Sequence, residues 1–409
     1  MLSNGTLNRV YMIALYAALG VGGSAFSVLA AGAAVFSSFK LLIGRLTISR
    51  QPEALAMAAA GLAYYLSGVT MIATNPGDAN NYLLALERLI FLGFLPLFLQ
   101  ISLSDRESLR ESLETGAALG AVAVAIWALV QWGLSSWAII SFRASGAPGN
   151  PGPFATTSAI LLAVCLLAAL RQDRTRRPLF VAACFCAAFA LIMSGMRTLY
   201  TALFVLPVVM FVFWPEARLR LLNQRSIWVV TALAIALVSV SSLIIASRLG
   251  HLFSMANLSG LSPTAANSLG ERIALWYCAA DAFREAPFFG LGRADALALM
   301  GNCTNMLVGK PLQYSHFHNA LATAAALGGI VEISAIGTLL VVPVYWCWRR
   351  RLDPDARYGI VLTLSMLTIY GLNGVTNLML GHDIHDALFV HIMTVALVLM
   401  AAREQGSAR

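Results

Sequence analysis

Charge is what this chain has least of. Asp, Glu, Lys and Arg make up 11% of its 409 residues, against 59% hydrophobic residues, and the mean hydropathy is +0.77. A soluble domain carries about 25% charged residues, so lipid has to be the solvent for most of this chain. Other absences narrow the reading further. The six cysteines form no CxxC, and His316-x-His318 has no acidic or cysteine set beside it, so no metal-ligand pattern is present. No metal and no cofactor are expected. No pair of isolated, apolar-flanked carboxylates stands out among Glu271, Asp281, Glu285 and Asp295, which disfavours a DxD metal site and a two-carboxylate glycosidase. No small-residue cleavage site follows the first apolar run, so MLSNGTLNRVYM reads as the start of a retained span. The net charge of +8 does not imply nucleic acid, because the basic residues gather in short loops as membrane topology requires.

What is present is a regular alternation. Basic clusters at Lys40/Arg45/Arg50, Arg106/Arg110, Arg171–Arg177, Arg218–Arg225, Arg349–Arg351 and Arg403 separate the apolar blocks. If these clusters share the cytoplasmic face, the blocks between them are hairpins. They pair as 53–73/82–103, 115–133/154–170, 178–196/198–214, 227–246/321–347 and 358–378/387–402. The block 10–39 exceeds one span of about 20 residues, and Gly20, Gly22 and Gly23 offer a break. The expectation is one all-α polytopic domain over 1–409, with twelve spans in preference to eleven, and with lipid as its surroundings.

One polar stretch, 247–320, breaks the pattern on the opposite face and carries Arg272, Arg284, Arg293, Lys310, His316 and His318. Within it SLGERIALWYCAADAFREAP reads as an amphipathic helix with Ile273, Trp276, Tyr277, Ala280 and Phe283 on its apolar face. Cys278 and Cys303 both fall here and would be free to pair in an oxidising compartment.

Arg197 is the sharpest single residue. It is the only charge between Arg177 and Glu216, at the tip of a hairpin, on the face where the positive-inside pattern disfavours it. A lone cation there reads either as an arginine snorkelling to the interface or as a fixed site for an anion. Arg272 opens the amphipathic helix, where a guanidinium and exposed N–H groups suit a phosphate oxygen. In SHFHNALA, His316, His318 and Asn319 precede an apolar helix. A histidine exchanges a proton near neutral pH and is the natural general base; His318 is preferred over His316 because it adjoins Asn319. The loop RASGAPGNPGPFA, with Asn150, reads as a turn or as a backbone nest. Tyr314, Asn373, Asn377, His382 and His385 are further candidates for polar contacts with a sugar.

The pieces GNPGPFA, SGMRTLYTA, ERIALWYCAADAFREAPFFGLG and SHFHNALA, with the large loop between spans, resemble the O-antigen ligase family (WaaL), within the wider group of O-antigen ligases, O-antigen polymerases and bacterial protein O-oligosaccharyltransferases. The resemblance covers most of the chain by topology and about fifty residues by motif. Gly152 departs from it, since the family often has a second Asn there. The resemblance implies a GT-C type, metal-independent, inverting glycosyltransferase of the bacterial inner membrane with a periplasmic loop. It implies undecaprenyl-diphosphate-linked O-antigen as donor and lipid A-core oligosaccharide as acceptor. Arg197 and Arg272 would hold the diphosphate and His318 would be the base or its close partner. His316, Asn319, Asn150, Tyr314 and His382 would contact substrate, and the protein is expected to act as a monomer.

A polymerase or protein O-oligosaccharyltransferase would use the same motifs. A transporter would need charge in mid-membrane or internal repeats, and the expectation from sequence is that neither is present.

Overall fold

A chain in hydrocarbon must satisfy its backbone internally, so helices are the expected form of every apolar block. The computed structural model describes residues 3–48, 51–135, 137, 142–147, 149–171, 175–216, 218 and 268–401. Among these residues the regular structure is helical. The first part comprises α1 (Asn4–Ala17), α2 (Ser24–Leu42), α3 (Pro52–Thr74), α4 (Ala79–Glu87), a 3₁₀ turn (Arg88–Gly93), α5 (Phe94–Ile101) and α6 (Arg106–Leu134). Then follow α7 (Pro151–Arg171), α8 (Arg177–Met193), α9 (Arg197–Tyr200) and α10 (Ala202–Phe213). The last part comprises α11 (Ser268–Glu285), α12 (Gly292–Val308), α13 (Ala320–Arg349), α14 (Arg357–Thr376) and α15 (Asp383–Met400).

Among the described residues, eight helical stretches are long and apolar enough to cross a membrane: 24–42, 52–74, 79–101, 106–134, 151–171, 320–349, 354–376 and 383–400. Those at 177–193 and 197–213 are apolar but shorter. The span expected over 227–246 lies outside the described residues. The block 10–39 does break at its glycines, where Gly23 has φ 53°. Its first helix, however, has 14 residues, about 21 Å at about 1.5 Å per residue, against about 30 Å of hydrocarbon. The block 82–103 is not one regular helix either. Pro96 removes an N–H donor and crowds the carbonyl four residues back, and a 3₁₀ turn precedes α5.

Helix α7 and helix α15 are buried nearly all round and form the centre. The first packs on α6, α8 and α14, the second on α2, α5 and α14. Small residues permit the close approaches, as is usual between helices in lipid. A Cβ on Gly120 would lie 2.2 Å from the Tyr16 carbonyl oxygen, and one on Gly359 2.5 Å from that of Ala396. Outward positions such as Val28, Val35, Phe39 and Leu42 remain exposed, as a lipid-facing surface requires.

The described part of the polar segment folds as the helix pair α11–α12, joined by a Cys278–Cys303 disulfide with Cα atoms 5.8 Å apart. The rest, 247–267, lies outside the described residues. The expected apolar face of α11 is corrected: Trp276 and Tyr277 are exposed, and the buried face is Ala274, Leu275, Cys278, Ala279 and Ala282. Tight packing on α12 and α13 selects small side chains and leaves the aromatic pair outward, where amphipathic rings suit a membrane interface.

The stretch after α11 is an anchor. Helix α13 kinks at Gly329 (φ 60°, ψ −149°), and the freed N–H groups of Ile330 and Val331 donate to Pro287 O (2.8 Å) and Phe288 O (3.2 Å). Leu291 N returns a bond to Ala326 O at 3.0 Å. Side chains would prevent this, since a Cβ on Gly290 would fall 2.3 Å from Leu327 and one on Gly329 2.5 Å from Pro287 O.

The expectation of no mid-membrane charge is also corrected. Arg88 and Glu332 stand near the middle of their candidate spans and form a bidentate pair at 2.5 and 2.6 Å. The pair is buried, bridged by the Ser67 hydroxyl, with the Arg88 guanidinium 4.4 Å from the Tyr64 ring centre.

Candidate functional site

Two elements converge at the loop end of α13: the hairpin between α8 and α9, and the unwound chain between α14 and α15. The hairpin turns through Gly195 (φ 70°). Its geometry is held by Ser194 Oγ accepting from Met196 N at 3.2 Å, and by the Tyr200 hydroxyl donating to Ile192 O at 2.7 Å. Thr198 Oγ1 meets Thr376 Oγ1 at 2.6 Å, which ties the hairpin to the end of α14. Arg197 is thereby presented outward, and its side chain is exposed.

Arg272, the fifth residue of α11, is half-buried and faces the same space. Burial first, and then the Arg197 guanidinium, hold it below the ordinary arginine value, with Tyr314 opposing. The adjacent Glu271 is engaged by Lys310 at 2.6 Å. Among the described residues neither Arg197 nor Arg272 forms an ion pair. Two like charges brought together with no acid between them are destabilised until an anion arrives.

His318 has φ 51°, a left-handed conformation that costs of order 1–3 kcal/mol outside glycine and persists only where the surroundings impose it. Here they do. Phe317 is fully buried, and its N–H donates to Thr323 Oγ1 at 3.1 Å, while Thr323 donates to Asn319 O at 2.7 Å. Asn319 caps α13 by accepting from Ala322 N at 2.9 Å and donates to Val375 O at 3.2 Å. Both ends of its amide are thus engaged by backbone, so Asn319 positions His318.

The imidazole of His318 lies edge-on to Tyr314 and His316, with ring centres 4.6 and 4.5 Å away. Burial first, and then Arg272, lower its pKa, with the Thr376 backbone and Glu271 opposing. His316 is pulled down to about 4, by burial and then by His318, with Asn377 opposing. Its Nδ1 meets Ser315 Oγ at 3.1 Å, and its buried Nε2 makes no well-formed hydrogen bond. His382 precedes α15 and pairs with Asp383 at 2.9 Å.

Asn150 accepts from Gly152 N at 2.9 Å as α7 begins. A Cβ at Gly152 would fall 2.7 Å from Asn377 Nδ2, so Asn377 occupies the room a larger residue at 152 would need. The loop's amides at Ser145 and Gly146 both donate to Gln131 Oε1, at 3.1 and 3.3 Å, so these two are engaged within the protein.

The structure therefore gathers Arg197, Arg272, Tyr314, His316 and His318, with Asn377 hydrogen-bonding His316 and His382 near enough to act on it electrostatically; Asn150 lies at the start of α7 beside Gly152. His385 is buried inside α15 without a partner on either ring nitrogen. Missed in sequence were Thr198 and Thr376, whose hydroxyls carry no pattern, and the Arg88–Glu332 pair, in which Glu87 directly precedes Arg88 while Glu332 is the lone charge in its apolar block. Among the described residues no group of three His, Cys, Asp or Glu side chains could hold a metal ion.

A search of curated proteins finds no match to the chain. A family model does match: residues 182–334, which run from the Arg197 hairpin through Arg272 and His318 to Glu332, are similar to the Wzy_C model, described as O-antigen ligase.

Proposed function

We propose that the protein is an O-antigen ligase, a GT-C type glycosyltransferase with twelve spans in the bacterial inner membrane and its site facing the periplasm. The family supports ligase- or polymerase-type transfer in general. The observation that carries the finer reading is the Arg197–Arg272 couple, without an ion pair among the described residues, beside a strained, partly buried His318.

The donor is undecaprenyl-diphosphate-linked O-antigen, with its polyprenyl tail in lipid and its diphosphate between the two guanidiniums. Two fixed cations neutralise the departing diphosphate without a metal. The acceptor is a hydroxyl of the lipid A-core oligosaccharide. Its oxygen attacks the anomeric carbon while the carbon–oxygen bond to the diphosphate breaks, and the proton passes to His318. A single displacement inverts that carbon. The lowered pKa keeps His318 neutral at neutral pH, the form that accepts a proton.

The test is the lipopolysaccharide of a deletion strain. Core lacking any O-antigen supports the ligase; a single repeat on the core makes the protein a polymerase instead. Loss of glycans from periplasmic proteins alone would make it a protein O-oligosaccharyltransferase.

A further inference from the structure

Beside the histidine cluster lies a cavity of about 240 Å³. Arg197, Arg272, Tyr314 and His318 do not line it; it touches the cluster only through Ser315 and His382. Its floor is the Arg88–Glu332 pair with the Tyr64 ring, and its walls include Ala324, Leu327 and Leu380. Beyond that pair it is bordered by Asp383, which His382 engages, and by two further charges of opposite sign: Arg293 at the start of α12 and Glu87 at the end of α4. Neither of these two forms an ion pair among the described residues. Arg293 is instead placed by its backbone, whose N–H donates to Asn81 Oδ1 at 2.9 Å, while the next N–H donates to Asp78 at 2.7 Å.

The volume falls below the range of about 300–1,000 Å³ usual for drug-sized ligands, so it suits one ring and not a chain. Apolar walls with a few convergent charged groups suit a ring that has both C–H faces and hydroxyls. A lipid tail would leave Arg293, Glu87 and Asp383 facing hydrocarbon, a costly arrangement. The diphosphate end of the reaction belongs to Arg197 and Arg272. In an in-line displacement the attacking hydroxyl arrives on the side away from the leaving group, past the base. The cavity adjoins the histidines and is lined by neither arginine.

We infer that this cavity is the acceptor subsite, taking one pyranose ring of the acceptor saccharide, with Arg293 donating to and Glu87 accepting from its hydroxyls. This rests on the transferase reading above.

The test is transfer kinetics of the purified full-length protein in proteoliposomes, with lipid A-core as acceptor and undecaprenyl-diphosphate-linked O-antigen as donor. Arg293→Ala and Glu87→Gln each remove a charged hydrogen-bond partner and should raise the acceptor KM by about tenfold or more, with the donor KM unmoved. Ala324→Phe, which fills the cavity, should do the same. An unmoved acceptor KM in all three variants overturns the subsite and leaves the transferase standing. A raised donor KM with an unmoved acceptor KM also overturns it, giving the cavity to the donor glycan. A wild-type protein that transfers nothing takes down both readings.

Discussion

Glu332→Leu should be far more damaging alone than together with Arg88→Met. The Arg88 guanidinium is 2% exposed, and both of its terminal nitrogens bond Glu332, at 2.5 and 2.6 Å. Ser67 Oγ bonds both partners, at 2.7 and 2.8 Å. Removing one member of such a pair costs about 3–5 kcal/mol, because the survivor stays desolvated and unmatched, whereas replacing both by apolar groups of similar volume is often neutral. Ser67 and the Tyr64 face soften the loss without supplying a negative charge. Thermal unfolding of the detergent-solubilised protein, followed by the fraction that stays monodisperse, measures this. Each single variant should melt several degrees lower, and the double variant should recover most of that loss. A double variant whose deficit equals the sum of the singles would show that the pair is not coupled and would refute the reasoning.

The disulfide closes a loop of sequence separation 25, for which chain entropy gives about 3.5 kcal/mol. Replacing Cys278 and Cys303 by Ser should raise hydrogen exchange across 268–308 by about three-hundredfold; unchanged exchange would remove the disulfide from the account of loop stability. Gly329→Ala places a Cβ 2.5 Å from Pro287 O at φ 60°, a conformation closed to other residues. Protease access at 286–292 should rise while α13 still inserts, and an unchanged cleavage pattern would count against the anchor. The folded His318 has a pKa below the usual value of about 6.5. Transfer should therefore hold steady down to about pH 6.5 and decline only below it; a decline that starts well above that value would exclude His318 as the base. His316 is also lowered, to about 4, so between about 4 and about 6.5 the unfolded chain binds more protons than the folded one. Stability is full above that window and is lost as pH falls through it, which acid titration of the melting temperature would show.

Much of the helical frame was legible because a lipid-facing helix needs a long apolar run, and α3, α7 and α13–α15 each have one. The split of 79–101 was less so, since Pro96 marks a disturbance but not where the chain turns to 3₁₀. Arg197 was legible because a cation at a hairpin tip defies the charge pattern around it. The face of α11 was misread because Trp276 and Tyr277 score as apolar, yet tight packing selects Ala274, Cys278 and Ala279. The Arg88–Glu332 pair and the Thr198–Thr376 contact join residues 244 and 178 apart, and nothing local in either member announces the other. Gly290 and Gly329 look like a helix stop and a packing glycine; only the fold shows that they meet across one seam.

The central claim is that Arg197 and Arg272 hold the diphosphate that leaves as His318 takes the acceptor proton. Its most direct measurement is glycan transfer from undecaprenyl-diphosphate-linked O-antigen to lipid A-core by purified Arg197→Ala, Arg272→Ala and His318→Ala proteins, each first shown to insert and remain monodisperse. Removing a fixed donor to developing negative charge costs about 10²–10³-fold in rate, and losses of at least that size are predicted for both arginine variants, with a comparable loss for His318→Ala. Near wild-type transfer by all three variants would contradict the account.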